Sequence, residues 1–397
     1  MLNRAILAAM CIGWPKVAIL VASIMVILIT PVRGQSPAVS GSFRYTTEEN
    51  LVTITEYLGP PGQVEVPLSI EGLPVAKIGA RAFRERGGVT GVSLPASVTH
   101  IGDQAFWGCD NLNFIVLPPR LCYLGKEVFS YCGRLSRVEI PPGLTEIPTA
   151  TFQHCQSLYE IVLPEGITTL GPQSFANCEM LVRVSLPETL TVIDQGAFQS
   201  CGQMAAVRLP RALKRIGNSA FANCEKLRDL TLPAGLTQLG DQTFLNCRQI
   251  TGMVIPLGTV QIGRKAFQGC EGLAKISLSS GLREIPERAF WGCIDLGEIS
   301  LPDSIQGIGE EAFRECINLK RILLSRNLSR IGKRAFQGCG NLQSLIVPAT
   351  VQSIGEGAFA ECRSLKLIDL PIQFLTFSPD IGLGLTEGVQ ARPAKEP

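Results

Sequence analysis

A phenylalanine recurs every 23 residues from Phe83 to Phe359, thirteen times without an insertion or a deletion. A cysteine follows three residues later in every copy but the first, where Arg86 takes its place. Each copy reads LPxxLxxIGxxAFxxCxxLxxIx. An unbroken period of this length is typical of a solenoid, in which each copy forms one coil and successive coils stack along an axis. Because one copy cannot bury its apolar residues alone, the array must share one continuous core.

The apolar spacing within one copy predicts two extended segments and one short helical turn. Residues 105–112 carry apolar side chains at helical spacing, whereas residues 115–117 alternate as in a strand that Pro118 ends. A second extended segment, residues 121–124, reaches Gly125, which permits a turn. Equivalent strands of neighbouring coils should lie about 4.8 Å apart. The predicted fold is an α/β solenoid, a right-handed curved array with a parallel β-ladder and short helical turns.

The segments on either side of the array predict four regions. Residues 1–34 contain basic side chains before an apolar run at 17–29, which is typical of a secretory signal peptide. An uncleaved membrane anchor is the alternative. Residues 41–75 are predicted to form an N-terminal capping hairpin, and residues 76–371 the solenoid of thirteen repeats. Residues 372–397 are predicted to form a C-terminal cap, with Phe374 and Phe377 covering the last coil, followed by a polar tail.

Composition and charge exclude several classes of function. The chain has 36 Lys and Arg against 34 Asp and Glu, a formal net charge of +2, so it offers no basic excess for nucleic acid. His100 and His154 are its only histidines, which leaves little material for a histidine metal site or an acid–base relay. No row of paired carboxylates and no GxSxG motif is present. We therefore expect no enzyme activity and no cofactor or metal, and membrane contact only through an uncleaved N-terminal segment.

Twelve of the 14 cysteines occupy the single column that follows the phenylalanines. In an exported protein many cysteines suggest a disulfide framework. A column that faces the core instead favours small buried side chains between phenylalanine and leucine. Zinc is the weaker alternative, because zinc sites use pairs of cysteines a few residues apart, whereas these are 23 apart.

The run LPASVTHIGDQAFWGCDNLNFIVLP, residues 94–118, resembles the BspA-like leucine-rich repeat. The opening VTITEYLGPPGQVEVPLSIEGLPVAKIGARAF resembles the lead-in of such arrays, and the resemblance covers about residues 50–371. It implies an exported or surface-displayed protein, since several members are regarded as adhesins for host proteins or other cells. Pro148, Asp194 and Pro286 replace the usual glycine of the repeat, which we interpret as ordinary drift in single coils.

The residues that vary between copies are the candidates for function, because packing uses the constant ones. Outward positions of the predicted ladder carry apolar groups near both ends, and tryptophans lie near two of the predicted turns. The predicted interaction surface is Phe114, Val116, Arg137, Glu139, Glu160, Val162, Arg183, Arg208, Leu323, Ile346, Leu367, Trp107 and Trp291.

The leading hypothesis is a secreted or cell-surface recognition and adhesion scaffold that binds an extracellular protein or a surface glycan through the solenoid surface. A structural cell-envelope protein without a specific ligand is the alternative. A glycan-degrading enzyme is the third and weakest hypothesis.

Overall fold

The structure is a computed structural model that describes residues 37–375 and 382–394. The predicted signal peptide and Phe377 lie outside the described residues. The chain forms a β-solenoid of about 15 coils with parallel strands, as predicted. The thirteen phenylalanines of the repeat have no exposed surface, and their rings stack with centroids 4.9–5.8 Å apart. This spine of rings runs through the core from coil to coil. No helix in the described ranges is long and apolar enough to cross a bilayer.

The N-terminal strands extend the aromatic spine beyond the first repeat. They are β1 (Ala38–Ser40), β2 (Phe43–Glu48), β3 (Leu51–Tyr57), β4 (Gly62–Glu65), β5 (Ser69–Ile70) and β6 (Leu73–Ile78). Strands β2 and β3 form an antiparallel hairpin, and β3 then pairs in parallel with β6. Tyr57 stacks on Phe83 at 5.1 Å, and Phe43 contacts Tyr57 at 5.5 Å. Aromatic rings therefore cover the open face of the first repeat.

Two parallel ladders run along the array, one on either side of the spine. The first, ladder A, has one strand of three to five residues in most coils. Beginning at β4, it continues through β7 (Val89–Ser93), β9 (Phe114–Val116), β12 (Glu160–Val162), β14 (Arg183–Ser185), β18 (Gly252–Val254), β19 (Lys275–Ser277), β21 (Glu298–Ser300), β23 (Arg321–Leu323), β25 (Ser344–Ile346), β27 (Leu367–Leu370) and β28 (Gln390–Pro393).

The second ladder, ladder B, is built of two-residue strands at the second predicted extended segment. Its strands after β3 and β6 are β8 (His100–Ile101), β10 (Tyr123–Leu124), β11 (Glu146–Ile147), β13 (Thr169–Leu170), β15 (Val192–Ile193), β16 (Arg215–Ile216), β17 (Gln238–Leu239), β20 (Glu284–Ile285), β22 (Gly307–Ile308), β24 (Arg330–Ile331) and β26 (Ser353–Ile354). In nearly every strand the second residue is buried and the first faces outward to some degree.

The prediction of short helical turns around each phenylalanine is wrong. The only helix among the described residues is a 3₁₀ turn, Ile372–Phe374. Gln104 and Gly108, which flank Phe106, have φ values of 56° and 68°, and such left-handed residues cannot continue an α-helix. The N–H of Phe106 donates instead to the carbonyl of Val128 in the next coil, at 2.9 Å. Stacking supplies acceptors that a single copy lacks, so the segment forms an inter-coil ladder of turns.

Ladder B is interrupted at the two prolines that replace the repeat glycine. In most other coils the residue at this position donates its N–H to the preceding coil, as Gly102 does to Ile78 at 2.8 Å. Asp194 keeps this bond, donating to Leu170 at 2.9 Å. Pro148 and Pro286 have no N–H to donate. The ladder accordingly stops after β10 and again after the bridge at Gln261, so these prolines, unlike Asp194, are more than drift.

The last coil is closed by residues beyond the final repeat. Phe374 is half-buried against the core, and the N–H of Phe359 donates to the carbonyl of Leu383 at 2.9 Å. Strand β28, within the predicted polar tail, pairs in parallel with β27. Backbone pairing does not require apolar side chains, and Arg392 is held there by an ion pair with Asp369 at 2.5 Å.

Candidate interaction surface

The outward side chains of ladder A form two rows from Phe114 onward, because the paired strands there keep the 23-residue register. The middle residue of each strand faces the core, and the residues on either side face solvent. The first row contains Phe114, Arg137, Glu160, Arg183, Ala206, Asp229, Gly252, Lys275, Glu298, Arg321, Ser344 and Leu367. The second row contains Val116, Glu139, Val162, Ser185, Arg208, Thr231, Val254, Ser277, Ser300, Leu323 and Ile346, and it ends at Asp369, whose side chain is buried.

Six of the predicted surface residues lie together near the N-terminal end of these rows. Val116 and Val162 are 64% and 56% exposed, with Glu139 between them in the second row. Phe114 lies over Gly91, where an added Cβ would come 2.4 Å from its ring. Arg137 is in register with Phe114 and Glu160 and forms an exposed ion pair with Glu139 at 3.0 Å. This end of ladder A therefore combines exposed apolar groups with charges of both signs.

Arg183 and Arg208 continue the same two rows but are engaged with neighbouring residues. The Arg183 guanidinium lies over the ring of Tyr159, 5.7 Å from its centroid. Arg208 forms an ion pair with Glu188 at 3.0 Å. Both side chains remain largely exposed, so these contacts contribute little to stability.

The C-terminal residues of the prediction form a second, separate patch. Leu323 and Ile346 are 58% and 65% exposed in the second row. Leu367 belongs to the first row and is only half-buried between Ser344 and Gln390. Seven coils separate Val162 from Leu323, which at about 4.8 Å per coil is roughly 34 Å. The structure therefore does not bring the two predicted patches into one surface.

Trp107 and Trp291 lie on a different face, beside the turns that follow the phenylalanines. The Arg84 guanidinium lies 4.7 Å from the Trp107 ring centroid, and Tyr131 packs against the same ring at 5.2 Å. The guanidiniums of Arg288 and Arg314 each lie 5.3 Å from the Trp291 ring. Contacts within the chain thus cover much of both tryptophans, and neither adjoins ladder A.

A buried carboxylate holds the two arginines beside Trp291. The side chain of Glu311 is 3% exposed and accepts hydrogen bonds from Arg288 at 2.5 Å and Arg314 at 2.6 Å. Burial alone would raise the pKa of Glu311, but the bonds from the two guanidiniums outweigh it and lower that pKa below its ordinary value. Nothing in the sequence marks Glu311 as buried, because the other copies carry mostly polar residues at this position, with glycine or alanine in three.

A groove of about 1030 Å³, which was not predicted from the sequence, lies in the middle of ladder A. Its apolar sides include Val254, Leu257 and Leu323, which are 67%, 79% and 58% exposed. Ser277 and Ser300 lie between Val254 and Leu323 in the second row, and their small side chains form the floor of the groove. The 23-residue period of the sequence could have indicated this groove, because it places Val254 in the same row as Val116 and Val162.

The described part of the chain has no group of three or more His, Cys, Asp or Glu residues that could hold a metal ion. The column cysteines there are free thiols.

Residues 76–205, 191–306 and 283–381 match the profile of the BspA type leucine rich repeat region. These matches cover well over half of the sequence. The chain belongs to the BspA-type leucine-rich repeat family. Leucine-rich repeat proteins are in general non-enzymatic, and the match to this family agrees with the resemblance found in the repeats.

Solved structures of bacterial leucine-rich repeat proteins share the fold. A leucine-rich repeat protein from Bacteroides ovatus is 31% identical, with a TM-score of 0.73 over 90% of this chain and 100% of the other. A leucine rich cell surface protein from Faecalibacterium prausnitzii is 28% identical, with a TM-score of 0.56 over 88% of this chain and 99% of the other. No curated protein sequence gives a significant match.

Proposed function

We propose that this BspA-type repeat protein is an exported or cell-surface binding scaffold that captures an extracellular protein or a surface glycan through ladder A. The observation that carries the proposal is the pair of outward rows, which hold exposed apolar and charged side chains in fixed register. Family membership and the Faecalibacterium prausnitzii cell surface protein support the location.

The physical basis is that binding to these rows needs little ordering of the scaffold. Most outward side chains sit on a strand whose middle residue is buried, as Ile115 is between Phe114 and Val116. A preformed surface avoids part of the entropy cost of association. Exposed apolar side chains such as Val116 and Val162 lose water contact on binding and so favour the complex.

The test is to immobilise the full chain and measure binding of labelled extracellular matrix proteins, serum glycoproteins and an array of surface glycans. A triple variant, Phe114→Ser, Val116→Ser and Arg137→Ala, should lose binding of the captured partner at an unchanged melting temperature. The matched control is Glu146→Ala with Thr169→Ala, which changes the outward face of ladder B in neighbouring coils.

Three outcomes separate the hypotheses. Loss of binding in the ladder A variant alone supports the proposal. Equal binding by both variants refutes this placement of the site. Absence of any captured partner favours a structural envelope protein over a recognition scaffold.

A further inference from the structure

We infer that the groove in ladder A binds an extended, polyproline II-like peptide that carries two carboxylates three residues apart, together with an apolar side chain. This inference deepens the proposed function by naming the class of partner for one part of ladder A. The groove is the depression bounded by Val254, Leu257 and Leu323, with Ser277 and Ser300 in its floor.

The charges beside the groove point to an acidic ligand. Lys275, Glu298 and Arg321 line it in the first row of ladder A. None of the three has an ion-pair partner within 4.0 Å among the described residues, unlike Arg137 and Arg208 in the same ladder. Two cations against one carboxylate leave the groove with a net positive charge and with side chains free to pair with a ligand.

The spacing of the two cations selects the ligand's conformation. Lys275 and Arg321 occupy the same repeat position two coils apart, so at about 4.8 Å per coil their backbones lie roughly 9.6 Å apart. A polyproline II helix rises about 3.1 Å per residue with three residues per turn, so residues i and i+3 share one side about 9.3 Å apart. In a β-strand, residues on one side are about 6.7 or 13.4 Å apart, and neither spacing matches that of Lys275 and Arg321.

Glu298, which lies between the two cations, agrees with this conformation. In a polyproline II segment the residues between the two acids point elsewhere, so no carboxylate faces Glu298. Backbone N–H groups of such a segment have no internal partner and can donate to this carboxylate. A continuous acidic stretch would instead place like charges together and would be disfavoured.

The apolar rim favours a peptide over a glycan. Val254, Leu257 and Leu323 are aliphatic, and none of the residues lining the groove is aromatic. An aliphatic side chain can enter the depression above Ser277 and Ser300, where it removes its own surface and that of the rim from water. The small side chains of Ser277 and Ser300 leave space for this ligand side chain, and the larger Val254 and Leu323 close the two ends of the groove.

The probe is the peptide carboxyfluorescein-Gly-Pro-Pro-Glu-Pro-Leu-Glu-Pro amide, titrated with the full chain and followed by fluorescence anisotropy. We expect saturable binding that weakens as salt is added, because exposed charge pairs are screened. The double variant Lys275→Ala and Arg321→Ala should raise Kd about tenfold or more. Filling the groove with Ser300→Leu should raise Kd as well.

The controls test spacing, charge and location. A peptide with its glutamates two residues apart, one with lysines in their place, and an alanine-based helical peptide with glutamates seven residues apart should each bind about tenfold more weakly. Lys214→Ala, which removes an exposed cation outside ladder A, should leave Kd unchanged.

Equal binding of the helical or lysine peptide, or an unchanged Kd in the Lys275 and Arg321 double variant, would overturn the inference. If the peptide does not bind while the Phe114, Val116 and Arg137 variant still loses a captured partner, the inference about the groove is wrong and the proposed function stands.

Discussion

The Sγ of Cys224 donates a hydrogen bond of 3.1 Å to the main-chain carbonyl oxygen of Phe198 in the preceding coil. The same bond recurs along the column, from Cys109 to Phe83 at 3.1 Å and on to Cys362 with Phe336 at 3.2 Å. The column cysteine therefore has two roles: it fills a small space in the core and ties each coil to the one before it.

The column thiols should be unreactive in the native protein. Burial raises the pKa of Cys224 to about 12 and that of Cys270 to about 12, so almost no thiolate, the reactive form, exists near pH 8. Titration with a thiol-specific chromophore should label none of the twelve column thiols in the native state and all twelve after denaturation. Rapid native labelling of the column thiols would show that the column is not buried.

Truncating a ring of the spine should destabilise several coils together. Phe221 is fully buried and stacks on Phe198 at 5.5 Å and on Phe244 at 5.7 Å. We expect Phe221→Ala to lower the free energy of unfolding by about 3 to 5 kcal/mol, because it leaves a cavity between two neighbours. The exposed control Arg183→Ala should cost no more than about 0.5 kcal/mol. If Phe221→Ala and Arg183→Ala have equally small effects in urea unfolding, the phenylalanine spine does not contribute to the stability of the core.

Restoring a donor at position 286 should repair ladder B. No backbone hydrogen bond joins residues 260–262 to residues 283–285. A glycine at this position could donate to the Ile262 carbonyl, as Gly309 donates to Ile285 at 2.7 Å. In Pro286→Gly we expect amide hydrogen exchange of residues 280–290 to slow by about tenfold, read by mass spectrometry.

Pro302→Gly is the control for that experiment, because Pro302 lies outside ladder B. Unaltered exchange in Pro286→Gly would mean that something other than the missing N–H keeps the two coils apart.

Glu311 should make the stability of the array depend on pH. Its pKa is lower in the folded chain than its ordinary value of 4.5, so the folded state binds fewer protons than the unfolded state in this range. The stabilisation is present above pH 4.5 and is lost as the pH falls through the lowered folded value. Glu311→Gln should lower the free energy of unfolding by about 1 to 3 kcal/mol at pH 7. The difference in this free energy between the variant and the wild type should narrow below pH 4.5.

The measurement is the urea midpoint at pH values from 7 to 3, with the neighbouring exposed Glu310→Gln as the control. If the stability difference between Glu311→Gln and the wild type stays constant with pH, the ion pairs of Glu311 are not the cause of that difference.

The residues of one repeat were enough to predict the strands, the buried columns and part of the exposed rows. Phe106, Cys109 and Ile115 are buried because each is apolar and meets its own counterpart in the next coil. The exposed positions Phe114, Val116 and Val162 follow from the alternation of the strand. Such features depend on side-chain type and local spacing, which the sequence contains directly.

Tertiary structure alone decided the features that depend on contacts between coils. Phe106 sits in a turn and not a helix because its N–H finds an acceptor 22 residues away, in Val128. The ion pairs of Glu311, the gaps in ladder B and the open groove beside Lys275 likewise depend on partners one or more coils away. The period fixes which residues become neighbours, but only the stacked coils set the distances and backbone angles at which those neighbours meet.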